Sequence, residues 1–110
     1  MNDFKRLKNP HNELKKHIKS GRYQFTEHAL AQMNLRDVII SEVVQSLEAS
    51  DYKPKRDRWR DDLGRWSYTF SGKTFDNKEL IIWISFVDQM LVVTVVNKTK
   101  DRLKKRKKKA

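Results

Sequence analysis

The run Glu79-Leu80-Ile81-Ile82-Trp83-Ile84-Ser85-Phe86-Val87-Asp88-Gln89-Met90-Leu91-Val92-Val93-Thr94-Val95-Val96 decides the fold. It holds two short apolar stretches, Glu79 to Phe86 and Met90 to Val96, both rich in β-branched residues, with a tight turn near Asp88-Gln89 between them. That pattern predicts two strands, and so short a connection predicts antiparallel pairing. Upstream, Arg65-Trp66-Ser67-Tyr68-Thr69-Phe70 has an aromatic residue at every second position, which predicts a half-buried strand. Gly64 before it and Ser71-Gly72 after it read as turns. Tyr52 to Arg60 is a candidate first strand, which Pro54 confines to an edge or a bulge.

The first half of the chain carries helical spacing instead. Asn9-Pro10 opens a helix over His11 to Lys19, with Pro at the first helical position and Gly21 as the stop. In Tyr23-Gln24-Phe25-Thr26-Glu27-His28-Ala29-Leu30-Ala31-Gln32-Met33-Asn34, Thr26 is an N-cap and Ala29, Leu30 and Met33 form an apolar stripe. A third helix is expected from Ser41 as cap through Glu48, with Val43, Val44 and Leu47 inward. Helices followed by a strand meander predict an α+β fold: N-terminal helices packed on one face of a curved three- to four-stranded antiparallel sheet. At 110 residues the chain has room for one domain, expected to span residues 1–97.

The formal charge is +11 and the sequence pI about 10.0. Residues 98–110 hold nine Lys/Arg and one Asp, a net of +8, which leaves +3 for the first 97 residues. This tail, with Lys104, Lys105 and Arg106 at its centre, is expected to be disordered or a frayed helix that attracts polyanions without specificity. Nucleic acid is the leading partner class. The chain has no cysteine, so disulfides, thiolate metal sites and cysteine nucleophiles are excluded. His11 and His17 are spaced to fall on different sides of a helix, so no metal and no cofactor is expected. The start of the chain lacks an apolar signal region and no apolar run is long enough to span a bilayer, which makes the expectation a cytoplasmic protein without membrane contact.

Two groups of residues suggest chemistry. His28 falls in the first turn of a helix and Arg36 just past its end. An imidazole can move the proton of a ribose 2′-hydroxyl or of a leaving 5′-oxygen, and a guanidinium can clamp the phosphate through paired N–H donors. No metal is required for that reaction. Thr94, in the middle of an apolar strand, and Tyr68 are candidate orienting groups. The second group is Arg58, Trp59, Arg60 and Arg65, where cations alternate with aromatics. Cations contact phosphates and an indole stacks on an unpaired base, so RNA contact is expected there. The alternative is a solvated edge hairpin in which Asp57, Asp61 and Asp62 offset the positive charge.

The run Phe25-Thr26-Glu27-His28-Ala29-Leu30, with Met33, Arg36, Ser41-Glu42-Val43-Val44 and Thr94, resembles a prokaryotic domain of unknown function, family number 4258. The likeness covers about residues 20–97. That family is grouped with the barnase, colicin and RelE-like ribonuclease toxins, the BECR fold, whose helices precede a sheet that carries the active site. The resemblance implies a RelE/barnase-like fold, His28 and Arg36 in the helical motif, Thr94 in the last strand, and a cognate antitoxin protein as partner. Where the family pattern has Gly after the arginine, this chain has Asp37. Three readings follow: a toxin-like, metal-independent endoribonuclease cleaving by 2′-hydroxyl attack, a non-catalytic RNA- or ribosome-binding module, and a phage-type protein-interaction adaptor.

Overall fold

The computed structural model describes residues 6–99, which fold as α+β. Lys104, Lys105 and Arg106, expected to contact RNA, lie outside the described residues. Helix α1 spans Pro10–Ser20, α2 spans Glu27–Leu35 and α3 spans Ile40–Glu48. Gly21 ends α1 at a φ of 72°, and its N–H caps carbonyls of the last turn. Only glycine takes that left-handed conformation without strain. Thr26 is the N-cap of α2, and its hydroxyl accepts the Ala29 N–H at 3.0 Å. The third helix starts earlier than its sequence suggests: Ile39, not Ser41, is the N-cap. Glu42 explains the shift, because its carboxylate accepts the Ile39 N–H at 3.1 Å and stabilises the start from the third helical position.

The strands are β1 (Tyr23–Phe25), β2 (Asp51–Tyr52), β3 (Arg58–Arg60), β4 (Arg65–Lys73), β5 (Glu79–Val87) and β6 (Gln89–Asn97). They form a six-stranded sheet in the order β1-β6-β5-β4-β2, with β3 also paired to β4. This corrects the expected three to four antiparallel strands. The sheet is mixed, because β1 runs parallel to β6 and pairs Tyr23 with Met90 and Phe25 with Val92. Pro54 splits the Tyr52 to Arg60 stretch into two short strands around a 3-10 turn, Pro54–Arg56, since it cannot donate to a ladder. The β5–β6 hairpin turns at Asp88, whose φ of 62° is tolerated because Asp accepts the left-handed region. Asp37 is in the same conformation, with a φ of 56° just after α2. That is the physical reason a glycine suits this position.

Alternation sorts the side chains of the long strands onto two faces. Tyr68, Phe70, Leu80, Ile82, Ile84, Met90, Val92 and Val95 meet Leu14, Ala29, Met33, Val43 and Leu47 from the helices. This is the core. Gly72 lies inside β4 rather than in a turn after it, and a Cβ there would sit 2.2 Å from the Ser46 carbonyl oxygen of α3. The glycine is needed because two backbones approach each other, and backbone cannot move aside as a side chain can.

Gly72→Ala is expected to destabilise the fold by about 3 kcal/mol, the upper end of ordinary overpacking costs, as read by urea unfolding. Gly64→Ala, where nothing lies near the added methyl, loses stability only through its φ of 62°.

Candidate nucleic-acid interface

The face of the sheet turned away from the helices carries the odd-numbered residues of β4 and β5, among them Arg65, Ser67, Thr69, Ile81, Trp83 and Ser85. Strand β3 extends this face, because Arg58 pairs with Ser67 and Arg60 with Arg65. An open cleft of about 310 Å³ lies here, lined by Arg58, Arg60, Ser67, Trp83, Thr94 and Val96. The Arg58 guanidinium stands 6.0 Å from the centre of the Trp83 ring, and the indole N–H of Trp83 donates to the Arg56 carbonyl at 3.4 Å. The ring is thereby held beside the β2–β3 crossover. Guanidinium forks, an indole and a threonine hydroxyl around one cleft can bind a ligand that is both anionic and planar.

The two sequence groups are therefore redistributed. Arg58, Arg60 and Arg65 share the open face, and Thr94 joins the first two at the cleft. Trp59 points to the other side, packing edge-on against Trp66 at 6.0 Å and donating its N–H to Asp61 at 2.8 Å. Arg60 spends its fork on Asp62, with both bonds at 3.0 Å, and these bonds hold the Asp62 carboxyl below its usual range. Tyr68 is on the helix face, only 3% exposed, and its hydroxyl accepts the Leu7 N–H at 2.7 Å. The sheet separates it from Thr94, because their β5 partners, Ile84 and Trp83, are consecutive residues.

His28 is exposed in the first turn of α2, and Arg36 is the C-cap of the same helix, its carbonyl accepting the Asn97 side-chain amide at 3.0 Å. At about 1.5 Å of rise per residue, an offset of eight residues separates their backbones by roughly 12 Å along the axis. His28 and Arg36 are thus set apart along α2, and Tyr68 and Thr94 lie on opposite faces of the sheet. Trp83 and Ser67 line the cleft without having been singled out from the sequence. The signal for Trp83 was there, since the alternation of β5 puts residues 81, 83 and 85 opposite Leu80, Ile82 and Ile84.

The crossover that carries Arg58 is held from behind by Asp57. Its side chain is 0% exposed and accepts the Thr69 N–H at 2.9 Å, the Tyr52 hydroxyl, and the Arg6 guanidinium at 2.8 Å. These bonds raise Arg6 above its ordinary pKa, the Asp57 hydrogen bond first. Burial, and then the bond to Asp57, lifts Tyr52 from 10.0 to about 12.

The fold and this face define a small α+β domain with one helix-covered side and one side that carries Arg65 and, around a cleft, Arg58, Arg60 and Trp83, while Ser67, Thr69, Ile81 and Ser85 on that side are buried. Residues 25–97 match the family described as Domain of unknown function (DUF4258), and the chain belongs to that family. No curated protein and no solved structure matches the chain. Among the described residues no helix is long and apolar enough to cross a membrane, and no three His, Asp or Glu side chains are grouped to hold a metal ion.

A tyrosine with a raised folded-state pKa contributes stability that is complete below the unfolded value and is lost as the pH climbs to the folded one. For Tyr52 that window runs from pH 10 to about 12. The stability gap between the parent chain and Tyr52→Phe should be full at pH 8 and narrow steadily across this window, as measured by thermal melts at stepped pH.

Proposed function

We propose that the chain binds single-stranded RNA on the open face of its sheet. The observation that carries this reading is the joint placement of Arg58, Arg60, Trp83 and Thr94 around one cleft. Phosphates would meet the guanidinium groups and one base the Trp83 indole, a contact worth about 1–3 kcal/mol per base in single-strand binders. The net charge of +11, most of it in residues 98–110, adds salt-sensitive attraction for any polyanion. Asp62 acts against the site by occupying the Arg60 fork. A cognate antitoxin or another acidic protein would compete for the same surface.

Fluorescence anisotropy with a labelled single-stranded oligonucleotide tests this. Trp83→Ala should weaken binding by about 1–3 kcal/mol, and Arg58→Ala should lower the salt slope by about 0.7. Asp62→Asn should tighten binding severalfold. Unchanged affinity in both of the first two variants, with folding verified, would remove the cleft as the binding site.

A second reading, metal-independent endoribonuclease activity of the BECR type, is favoured by one observation. The His28 side chain is exposed and makes no hydrogen bond, ion pair or ring contact with the described residues, whereas Phe25, Thr26, Ala29 and Met33 around it have structural duties. In this reading His28 transfers the 2′-hydroxyl proton and a guanidinium stabilises the phosphate. Incubation of RNA with the chain in EDTA should yield 2′,3′-cyclic phosphate ends, and His28→Ala should reduce the rate at least about a hundredfold. Intact RNA with the parent chain would leave the binding function alone.

A further inference from the structure

Arg6 makes a set of contacts unlike that of an ordinary surface ion pair. Its Nη2 donates to Asp57 Oδ2 at 2.8 Å and to the Pro54 carbonyl at 2.5 Å, and its Nε donates to Asp57 Oδ2 at 3.2 Å. The guanidinium carbon stands 5.1 Å from the centre of the Trp66 ring. One residue on, the Leu7 N–H donates to the Tyr68 hydroxyl at 2.7 Å. Acid, carbonyl and aromatic face together satisfy the planar fork and its π surface, a combination that an ammonium cannot reproduce.

The two partners are unequally enclosed. The Asp57 side chain is 0% exposed, whereas that of Arg6 is 42% exposed. Without Arg6, the described donors to Asp57 are the Tyr52 hydroxyl and the Thr69 N–H, both neutral. Arg6 both covers and neutralises this carboxylate, and taking it away leaves a partly enclosed charge with neutral donors alone, which is unfavourable. Asp57 is fixed in the fold by Tyr52 and Thr69, so the acid is the receptor side, and the more exposed Arg6 is the side that enters. The chain around Arg6 agrees with this: residues 6–9 are exposed, belong to no helix or strand, and precede α1. Tyr52, Pro54, Asp57, Trp66 and Tyr68 all lie within residues 25–97, the part that matches the family, and Arg6 lies outside it.

We propose that Tyr52, Pro54, Asp57 and Trp66 form a guanidinium-binding socket whose ligand is an arginine side chain on an extended peptide segment, filled here by Arg6 of the same chain. The Tyr68 hydroxyl fixes the register of that segment by taking the next backbone N–H. The socket faces the helix side of the β2–β3 crossover and shares no lining residue with the cleft behind it.

Chemical rescue of the full-length Arg6→Ala chain tests the socket. Its melting temperature is expected to fall by more than about 4 °C. Argininamide at tens of millimolar should restore at least half of that loss, and lysinamide at equal ionic strength should not. The parent chain, with its socket filled, should respond to neither, and Arg6→Ala combined with Asp57→Asn should lose the response to argininamide. An Arg6→Ala chain that folds only with argininamide present would support the socket equally. An unchanged melting temperature, a loss that argininamide leaves in place, or equal rescue by both amides would overturn it.

Discussion

The outer edge of β6 sets the rest of the architecture, because the backbone N–H and C=O groups that this nine-residue strand turns outward must be bonded. β1 covers the first part by parallel pairing up to Val92. The cover then passes to Thr26 and a side chain of α2. The Thr26 N–H donates to the Val92 carbonyl at 3.0 Å, the Thr26 hydroxyl to the Val93 carbonyl at 3.1 Å, and the Val95 N–H to the Gln32 side chain at 3.1 Å. Asn97 completes the line through its amide to the Arg36 carbonyl. One threonine thus ends a strand, caps a helix and seals a sheet edge, and α2 is laid along β6 as a consequence. The Phe25-Thr26 pair is the hinge of this arrangement, and the exposed position of His28 follows from it.

With α2 committed to that edge and α1 and α3 to the core, one sheet face is left without helices. Alternation along β4 and β5 then decides what this face displays. Gly72 lets α3 come within backbone contact on the covered side, while Arg65, Ser67 and Trp83 are delivered to the open side. Strand β3 adds Arg58 and Arg60 to the open face, and the short crossover before it adds Asp57 to the covered one. Opposite electrostatic arrangements result on the two sides of one segment: an exposed cationic cleft, and a buried carboxylate that a cation must satisfy.

Much of this was legible in local pattern. Pro10 and Gly21 bracket α1 because φ constraints act on single residues, and Thr26 caps α2 by the same local chemistry. The three long strands follow from period-two alternation over runs of six residues or more. β1 was not legible. Three residues carry too little periodicity, and its partner is some 67 positions away in the chain, as the Thr26–Val93 bond shows. The strand reading of Ser71-Gly72 as a turn failed for a related reason: glycine permits a turn and also permits close backbone contact, and only the position of α3 distinguishes the two.

By itself the sequence determined the fold class, the order of the helices and the long strands, the charge imbalance and the residue types available for chemistry, since propensity, capping and hydrophobic period are properties of neighbouring residues. Tertiary structure alone decided which of those residues share a surface. It set Thr94 with Arg58 and Trp83, put Tyr68 behind the sheet, turned Trp59 away and brought Arg6 to Asp57, because strand register and helix placement are chosen by burial and backbone bonding across the whole chain.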